Sequence, residues 1–214
     1  LINTKVYSEL IRAGFRRSGQ FTYRPYCDQC RSCIATRIPV SQFTPNRSQK
    51  RALLKHAQLE AKILPLQFTP EHFDLYHRYQ LSRHATQIDG NSVENTEDEE
   101  DQYRQFLVQS HIDSYMVEFR ENKILRMVSV IDTVSDGLSS VYTFFDTSQE
   151  KSSYGTYGIL WQIEKAKELQ LNYVYLGYYI EQSPKMSYKT LYKPIEGLID
   201  GTWKNLETSP NTHT

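Results

Sequence analysis

Apolar residues recur along this chain at two spacings, which divide it into helices and strands. Val6, Leu10 and Ile11 suit a short helix that ends at Gly14. Residues 21–26 and 34–40 alternate in the manner of strands. Asn46 is a residue type that accepts hydrogen bonds from helix-starting amides, and it predicts the cap of a helix running through Arg51, Leu54 and Leu59. Residues 63–68 read as a strand interrupted at Pro65. Pro70 suits the first turn of a helix through Phe73, Tyr76, Tyr79 and Leu81. The acidic stretch 92–101 predicts a loop and a helix start, with the helix continuing through Tyr103, Phe106 and Leu107. Three strands follow, at 115–120, 124–133 and 138–145, with Asn122 and Asp136-Gly137 at the turns of a β-meander. Ile159, Leu160, Ile163 and Ala166 share one face of a helix from about 157 to 169, and 173–178 reads as a buried strand.

From residue 66 the order is helix, helix, three antiparallel strands, helix, strand. That is the order of a GNAT-like acyltransferase, in which the helix after the meander points its N-terminus at the acyl donor. A generic α+β domain has the same elements, so order alone leaves both open. The expected organisation is α+β: a basic, Cys-containing N-terminal unit at 1–65, a GNAT-like catalytic domain at 66–207 and a tail at 208–214.

The 214 residues include 16 Tyr, 9 Phe and 2 Trp, too aromatic a composition for a disordered chain. No apolar run approaches the length of a membrane span and no signal-peptide pattern opens the chain, so a soluble cytoplasmic protein is expected. The chain begins at Leu1 rather than Met, which leaves room for further N-terminal sequence. The 25 Lys/Arg balance the 25 Asp/Glu, but unevenly: residues 1–62 hold 12 basic and 3 acidic residues, residues 71–121 hold 4 and 12. A basic first third can attract RNA. The same charges can instead solvate scattered faces, or draw the two halves of the chain together.

All three cysteines fall in one C-x-x-C-x-x-C run, Cys27, Cys30 and Cys33. Thiolates at this spacing can converge on a zinc ion or an iron–sulfur cluster, but a closed site needs a fourth ligand. His56 is one candidate, although a packed or solvated histidine on a predicted helix reads equally well. A reduced cluster without metal is the alternative.

Several strings resemble one family. They are Gly14-Phe15-Arg16-Arg17-Ser18-Gly19, Tyr23-Arg24-Pro25, Pro45-Asn46-Arg47-Ser48-Gln49-Lys50-Arg51, and Tyr79 with Arg83-His84. Further on come Tyr142-Thr143-Phe144-Phe145-Asp146, Gly155-Thr156, Tyr175-Leu176-Gly177-Tyr178 and Pro184-Lys185-Met186-Ser187-Tyr188-Lys189. Together they resemble the arginyl-tRNA–protein transferase family, and the GFRRSG form resembles its bacterial leucyl-tRNA–protein transferase branch. The resemblance runs from near Ile2 to Trp203. It implies transfer of an amino acid from aminoacyl-tRNA, leucyl-tRNA in that branch, to proteins with N-terminal Asp or Glu, marking them for degradation. It also implies a further Cys near the N-terminus, ahead of Leu1. The donor stays open between leucine and arginine.

That reaction is aminolysis of an activated ester. It needs a neutral amine, close placement and stabilisation of an oxyanion, and no cofactor. Asp146, at a strand end, can orient or deprotonate the amine; equally it can cap a turn. Tyr142 and Tyr178 can supply hydroxyls or simply pack. Residues 151–158, with Gly155 and Thr156 at a helix start, can bind a tRNA phosphate through backbone N–H groups, where a GNAT enzyme binds pyrophosphate. Arg83, Lys185 and Lys189 can pair with the acceptor carboxylate or lie in solvent. Arg47, Lys50 and Arg51, with Lys55, form a basic helix face suited to tRNA phosphates. The competing functions are an acetyltransferase using acetyl-CoA, which a complete coenzyme A loop would favour, and a non-catalytic RNA-binding zinc-knuckle protein.

Overall fold

The computed structural model describes residues 2–26, 32–84, 96–149 and 151–206. The first helix is α1 (Thr4–Arg12), capped by Asn3, followed by the short hairpin β1 (Arg16–Ser18) and β2 (Phe21–Tyr23). Next come β3 (Ile34–Pro39), α2 (Arg47–Lys55) and β4 (Glu60–Pro65). Asn46 caps α2 as expected, and Gln49 closes a reciprocal capping box with it. The helix stops at Lys55 rather than reaching Leu59, because His56 turns out of it as the C-cap. Pro70 opens α3 (Pro70–His84), where Thr69 accepts from the His72 amide. Then follow α4 (Thr96–Tyr103), a π-helical turn (Arg104–Val108) and the meander of β5 (Ser114–Glu121), β6 (Ile124–Val134) and β7 (Gly137–Phe145). The chain continues through α5 (Tyr154–Glu168), β8 (Tyr173–Tyr179), a 3₁₀ segment (Pro184–Leu191), β9 (Glu196–Ile199) and β10 (Thr202–Asn205).

Eight strands form one sheet in the order β10-β9-β3-β8-β7-β6-β5-β4. This sheet crosses the expected boundary after residue 65: β3 lies between β9 and β8, and β4 pairs with β5. Residues 34–39 and 60–65 therefore share a hydrogen-bonded ladder with the later strands.

Both faces of the sheet are covered, as alternation along β5 shows. Val117 and Phe119 enter the core beneath α5 and α2 with Ile159, Leu160 and Ile163. Met116 enters the core beneath α3 with Leu75, Tyr79 and Phe144. Gly158 lets α5 sit close, since a Cβ there would stand 3.2 Å from the Met127 sulfur.

The site is set by how β7 meets β8. They are the parallel pair in the sheet, and they pair only from Gly137↔Tyr173 to Ser139↔Tyr175. Beyond Ser139 each strand continues without the other. On its far side β8 carries a bulge against β3 between Thr36 and Arg37, opposite Gly177 and Tyr175. Gly177 adopts φ +87°, a conformation that glycine reaches without steric cost. A bulge twists a strand locally, so it helps turn β8 away from β7. The meander, the crossover helix α5 and this splayed parallel pair make the domain α+β and GNAT-like.

Candidate active site

A cleft of about 860 Å³ opens where β7 and β8 part. The last turns of α3 supply Tyr79 and Arg83, β7 supplies Tyr142, the start of α5 supplies Ser152–Thr156, and the 3₁₀ segment supplies Lys185 and Lys189. Six residues singled out from the sequence thus meet in one place: Arg83, Tyr142, Gly155, Thr156, Lys185 and Lys189.

The first turn of α5 faces this cleft. Ser153 precedes it with φ +63°, and Lys151 has φ +53°. Helix-starting amides have no acceptor within their own helix and favour negative charge. Gly155 permits close approach of the Phe145 ring, whose Cε1 lies 3.4 Å from where a Cβ would stand. The backbone N–H groups of this turn are thus placed to meet an anion in the cleft.

The α5 loop is held from below by α2. His56 is buried, stacks on Tyr154 at 4.5 Å and pairs its Nε2 with the Ser152 carbonyl at 2.5 Å. Lys55 donates to the Lys151 carbonyl at 3.0 Å. His56 is thus a packed histidine that positions the loop, and its Nε2 is not available to a metal. Burial pulls its pKa below the usual histidine value, outweighing the Ser152 carbonyl, which raises it. The folded protein therefore resists protonation that the unfolded chain accepts from about pH 6.5 downward, so this contribution to stability fades as pH falls below that value. Thermal unfolding of the parent protein should lose stability between about pH 6.5 and 5 more steeply than His56→Gln does. Parallel pH dependences would remove His56 from the account.

The three cations differ in setting. Arg83 is exposed and donates to the Tyr79 hydroxyl at 2.6 Å, lying 5.4 Å from the centre of that ring. Lys185 is exposed. Lys189, expected at the surface, is only 6% exposed and donates to the Tyr178 carbonyl. Burial, with the positive charge of Arg16, lowers its pKa to about 8. Burial also raises the Tyr142 pKa, helped by Tyr79 and Tyr76, so its phenol stays protonated and can only donate to a developing negative charge.

The other sequence candidates lie elsewhere. Asp146 is 6% exposed and accepts from Arg126 at 2.7 Å and from the Ser148 amide at 2.9 Å. Burial raises its pKa, but Ser148 and Arg126 together hold it below the usual aspartate value. Its hydrogen bonds are those of a turn cap. Tyr178 donates to the Gly14 carbonyl at 2.7 Å and so ties the N-terminal segment to β8. Arg47, Lys50 and Arg51 are exposed on α2, outside the cleft wall. Cys27 and Cys30 lie outside the described residues; Cys33, beside β3, is half-buried. Among the described residues no group of three His, Cys, Asp or Glu could hold a metal ion, and no helix is long and apolar enough to cross a membrane.

The N-terminal basic charge is also partly internal. Arg17 grips Asp132 with two hydrogen bonds of 2.8 and 2.7 Å, Arg37 meets Glu196 at 2.6 Å, and Arg16 donates to the Ser140 carbonyl. All three arginines are buried, so they bind the chain to itself rather than facing RNA. Sequence reasoning passed over Arg16, Gln80, Ser140, Tyr154 and Ile159 at or near the cleft. The Arg16-Arg17 doublet in a three-residue strand was the available signal, since neighbours in a strand face opposite ways.

The model of the arginine-tRNA-protein transferase C terminus matches residues 71–199, and that of the N terminus matches residues 1–51. The chain belongs to this family. It is 56% identical over 212 residues to an aspartate/glutamate leucyltransferase of Polynucleobacter necessarius, covering 96% of this chain and 82% of the relative. Its identity to the aspartate/glutamate leucyltransferase of Thiobacillus denitrificans is 54% over 207 residues, covering 97% and 84%. Among solved structures, L-PGS from Bacillus licheniformis superposes with a TM-score of 0.51 at 10% identity, over 77% of this chain and 58% of that one, a likeness of fold. The protein is an aminoacyltransferase.

Proposed function

We propose that this transferase moves leucine from leucyl-tRNA to the α-amine of proteins beginning with Asp or Glu, marking them for degradation in the cytoplasm. The observation that carries the reading is the convergence of Arg83, Lys185 and Lys189 on a cleft that also receives the start of α5. The names of the relatives, aspartate/glutamate leucyltransferases, support the same donor and acceptors.

The chemistry follows from these parts. The aminoacyl ester lies in the splay between β7 and β8. The acceptor's neutral α-amine attacks the ester carbonyl carbon, and negative charge develops on the carbonyl oxygen. The protonated Tyr142 hydroxyl and the α5 amides are donors suited to that charge. Collapse breaks the bond to the ribose oxygen, which leaves with a proton derived from the amine. Cations beside the cleft hold the acceptor's side-chain carboxylate, and an amide of the same shape gains no charge-assisted bond there. Asp146, bound to Arg126, caps a turn and takes no proton in this scheme. A metal at Cys27, Cys30 and Cys33 has no part in these steps.

On this reading the exposed face of α2 carries tRNA phosphates. Arg47→Ala, Lys50→Ala and Arg51→Ala combined should weaken tRNA binding and flatten its dependence on salt by up to about three units of slope, if each side chain neutralises one phosphate. An unchanged affinity and slope would leave these residues as solvated surface. Parallel incubations with leucyl-tRNA, arginyl-tRNA and acetyl-CoA test the donor: leucine alone should reach the peptide.

A further inference from the structure

Beyond Ser139 and Tyr175 the strands β7 and β8 no longer pair, and Arg16 spans the space between them. Its Nη2 donates to the Ser140 carbonyl of β7 at 2.5 Å. Its guanidinium atoms lie 3.6–3.8 Å from where a Cβ would stand on Gly177 of β8, so that glycine leaves it room. The side chain is buried, and among the described residues its Nη1 has no hydrogen-bond partner. Buried polar groups in folded proteins are nearly always paired, and an unpaired charged one is rarer still. Asp132 flanks the same Tyr7 as Arg16, but both its oxygens are taken by Arg17.

Lys189 is the second cation in this place. It donates to the carbonyl of Tyr178, the residue after Gly177, and the charge of Arg16 acts on it. Among the described residues, no carboxylate hydrogen-bonds or ion-pairs with either cation. Tyr178 of β8 and Tyr188 beside Lys189 also feel Arg16; burial raises the pKa of both, so they are neutral. Two buried like charges without a counter-charge favour the entry of an anion.

We propose that Arg16 and Lys189 form a buried two-cation subsite that selects the side-chain carboxylate of the acceptor's N-terminal residue, Lys189 from the cleft wall and Arg16 from behind it. The proposal rests on the reading of the protein as a transferase to N-terminal Asp or Glu. Lys189 touches the carboxylate; Arg16 is a positioning residue that acts through the field and through Lys189. The enclosure argues for a carboxylate rather than a tRNA phosphate. A phosphodiester carries a sugar on each side, whereas a carboxylate ends a short side chain that can reach a largely covered ammonium group.

The test compares Arg16→Met and Arg16→Lys with the parent protein, measuring kcat and KM for Asp- and Asn-starting peptides and KM for leucyl-tRNA. Arg16→Met should lower the Asp-over-Asn preference at least about tenfold, mainly through KM for the Asp peptide, and Arg16→Lys should restore most of it. The ¹³Cε resonance of Lys189 should titrate at higher pH when the Asp peptide, but not the Asn peptide, is bound. Equal losses on both peptides would make Arg16 merely structural. A raised KM for leucyl-tRNA with the preference intact would assign the subsite to phosphate. Either result overturns the proposal, as does a Lys189 titration that ignores the Asp peptide. Should the parent protein transfer no leucine to Asp peptides, it is the underlying transferase reading that fails.

Discussion

Lys189→Met should lower kcat/KM for leucine transfer onto an Asp-starting peptide by about 2–5 kcal/mol, roughly 30- to 5,000-fold, while leaving the protein no less stable. The activity loss follows because Lys189 is the most buried of the three cleft cations, and a buried charge facing a carboxylate acts through little screening solvent. The stability half has the opposite sign from intuition. The folded-state pKa of about 8 lies below the ordinary lysine value of 10.5. The folded protein therefore binds this proton less tightly than the unfolded chain does, and at neutral pH the charged lysine costs stability, on the order of 3 kcal/mol. That cost falls as pH rises from about 8 toward the unfolded value, and methionine removes it. Losing the hydrogen bond to the Tyr178 carbonyl offsets part of the gain, by about 1 kcal/mol. In the parent protein the Asp-over-Asn preference should weaken as pH rises above about 8, as the ammonium deprotonates. Thermal melting and peptide kinetics on the same preparation separate the two halves. A variant that melts early and loses activity on both peptides equally would contradict the assignment.

The second large effect is one of folding. Arg17→Ala should destabilise the protein by about 3–5 kcal/mol, because it strands Asp132 in the interior. The side chains are 3% and 0% exposed, and the Ser114 hydroxyl is the other donor to Asp132. Arg17 also donates to the carbonyls of Gly19 and Gln109, so its loss loosens the GFRRSG segment, which Arg16 and Tyr178 still hold to β7 and β8. For a chain of this length the melting temperature should fall by roughly 6–20 °C. Replacing both members, Arg17→Met with Asp132→Leu, should recover part of the loss, since no charge is then left alone in the interior. A single variant that melts within a degree or two of the parent would show that the pair is not a structural anchor.

Local features of this fold are legible in the sequence, and long-range partnerships are not. The meander was legible because alternation specifies which face each residue takes, and Asn122 stands at a turn where it and Lys123 have φ +51° and +69°. The α2 cap was legible because it is local, Asn46 with Gln49. The last hairpin was not, although Asp200-Gly201 between β9 and β10 is a turn pair with φ +50° and +75°; its four-residue strands are too short to show a period. The 3₁₀ segment has no helical period to find, so Lys185 and Lys189 were legible only through the family resemblance. Asp146 reads two ways in the sequence, because a carboxylate at a strand end looks the same whether it meets a substrate or an arginine. Its partner, Arg126, is twenty residues away across the ladder. Arg16 and Arg17 were counted with the basic surface because burial of a charge depends on partners more than a hundred residues distant.

The proposed reaction joins leucine from tRNA to an acidic N-terminus within one cleft. Its most direct test is tandem mass spectrometry of peptides that differ only in their first residue, Asp, Glu, Asn or Gln, after incubation with the protein and leucyl-tRNA. The predicted result is one leucine residue added at the α-amine of the Asp and Glu peptides, with little or none on the Asn and Gln peptides. Leucine added to all four alike, or to none, would contradict it.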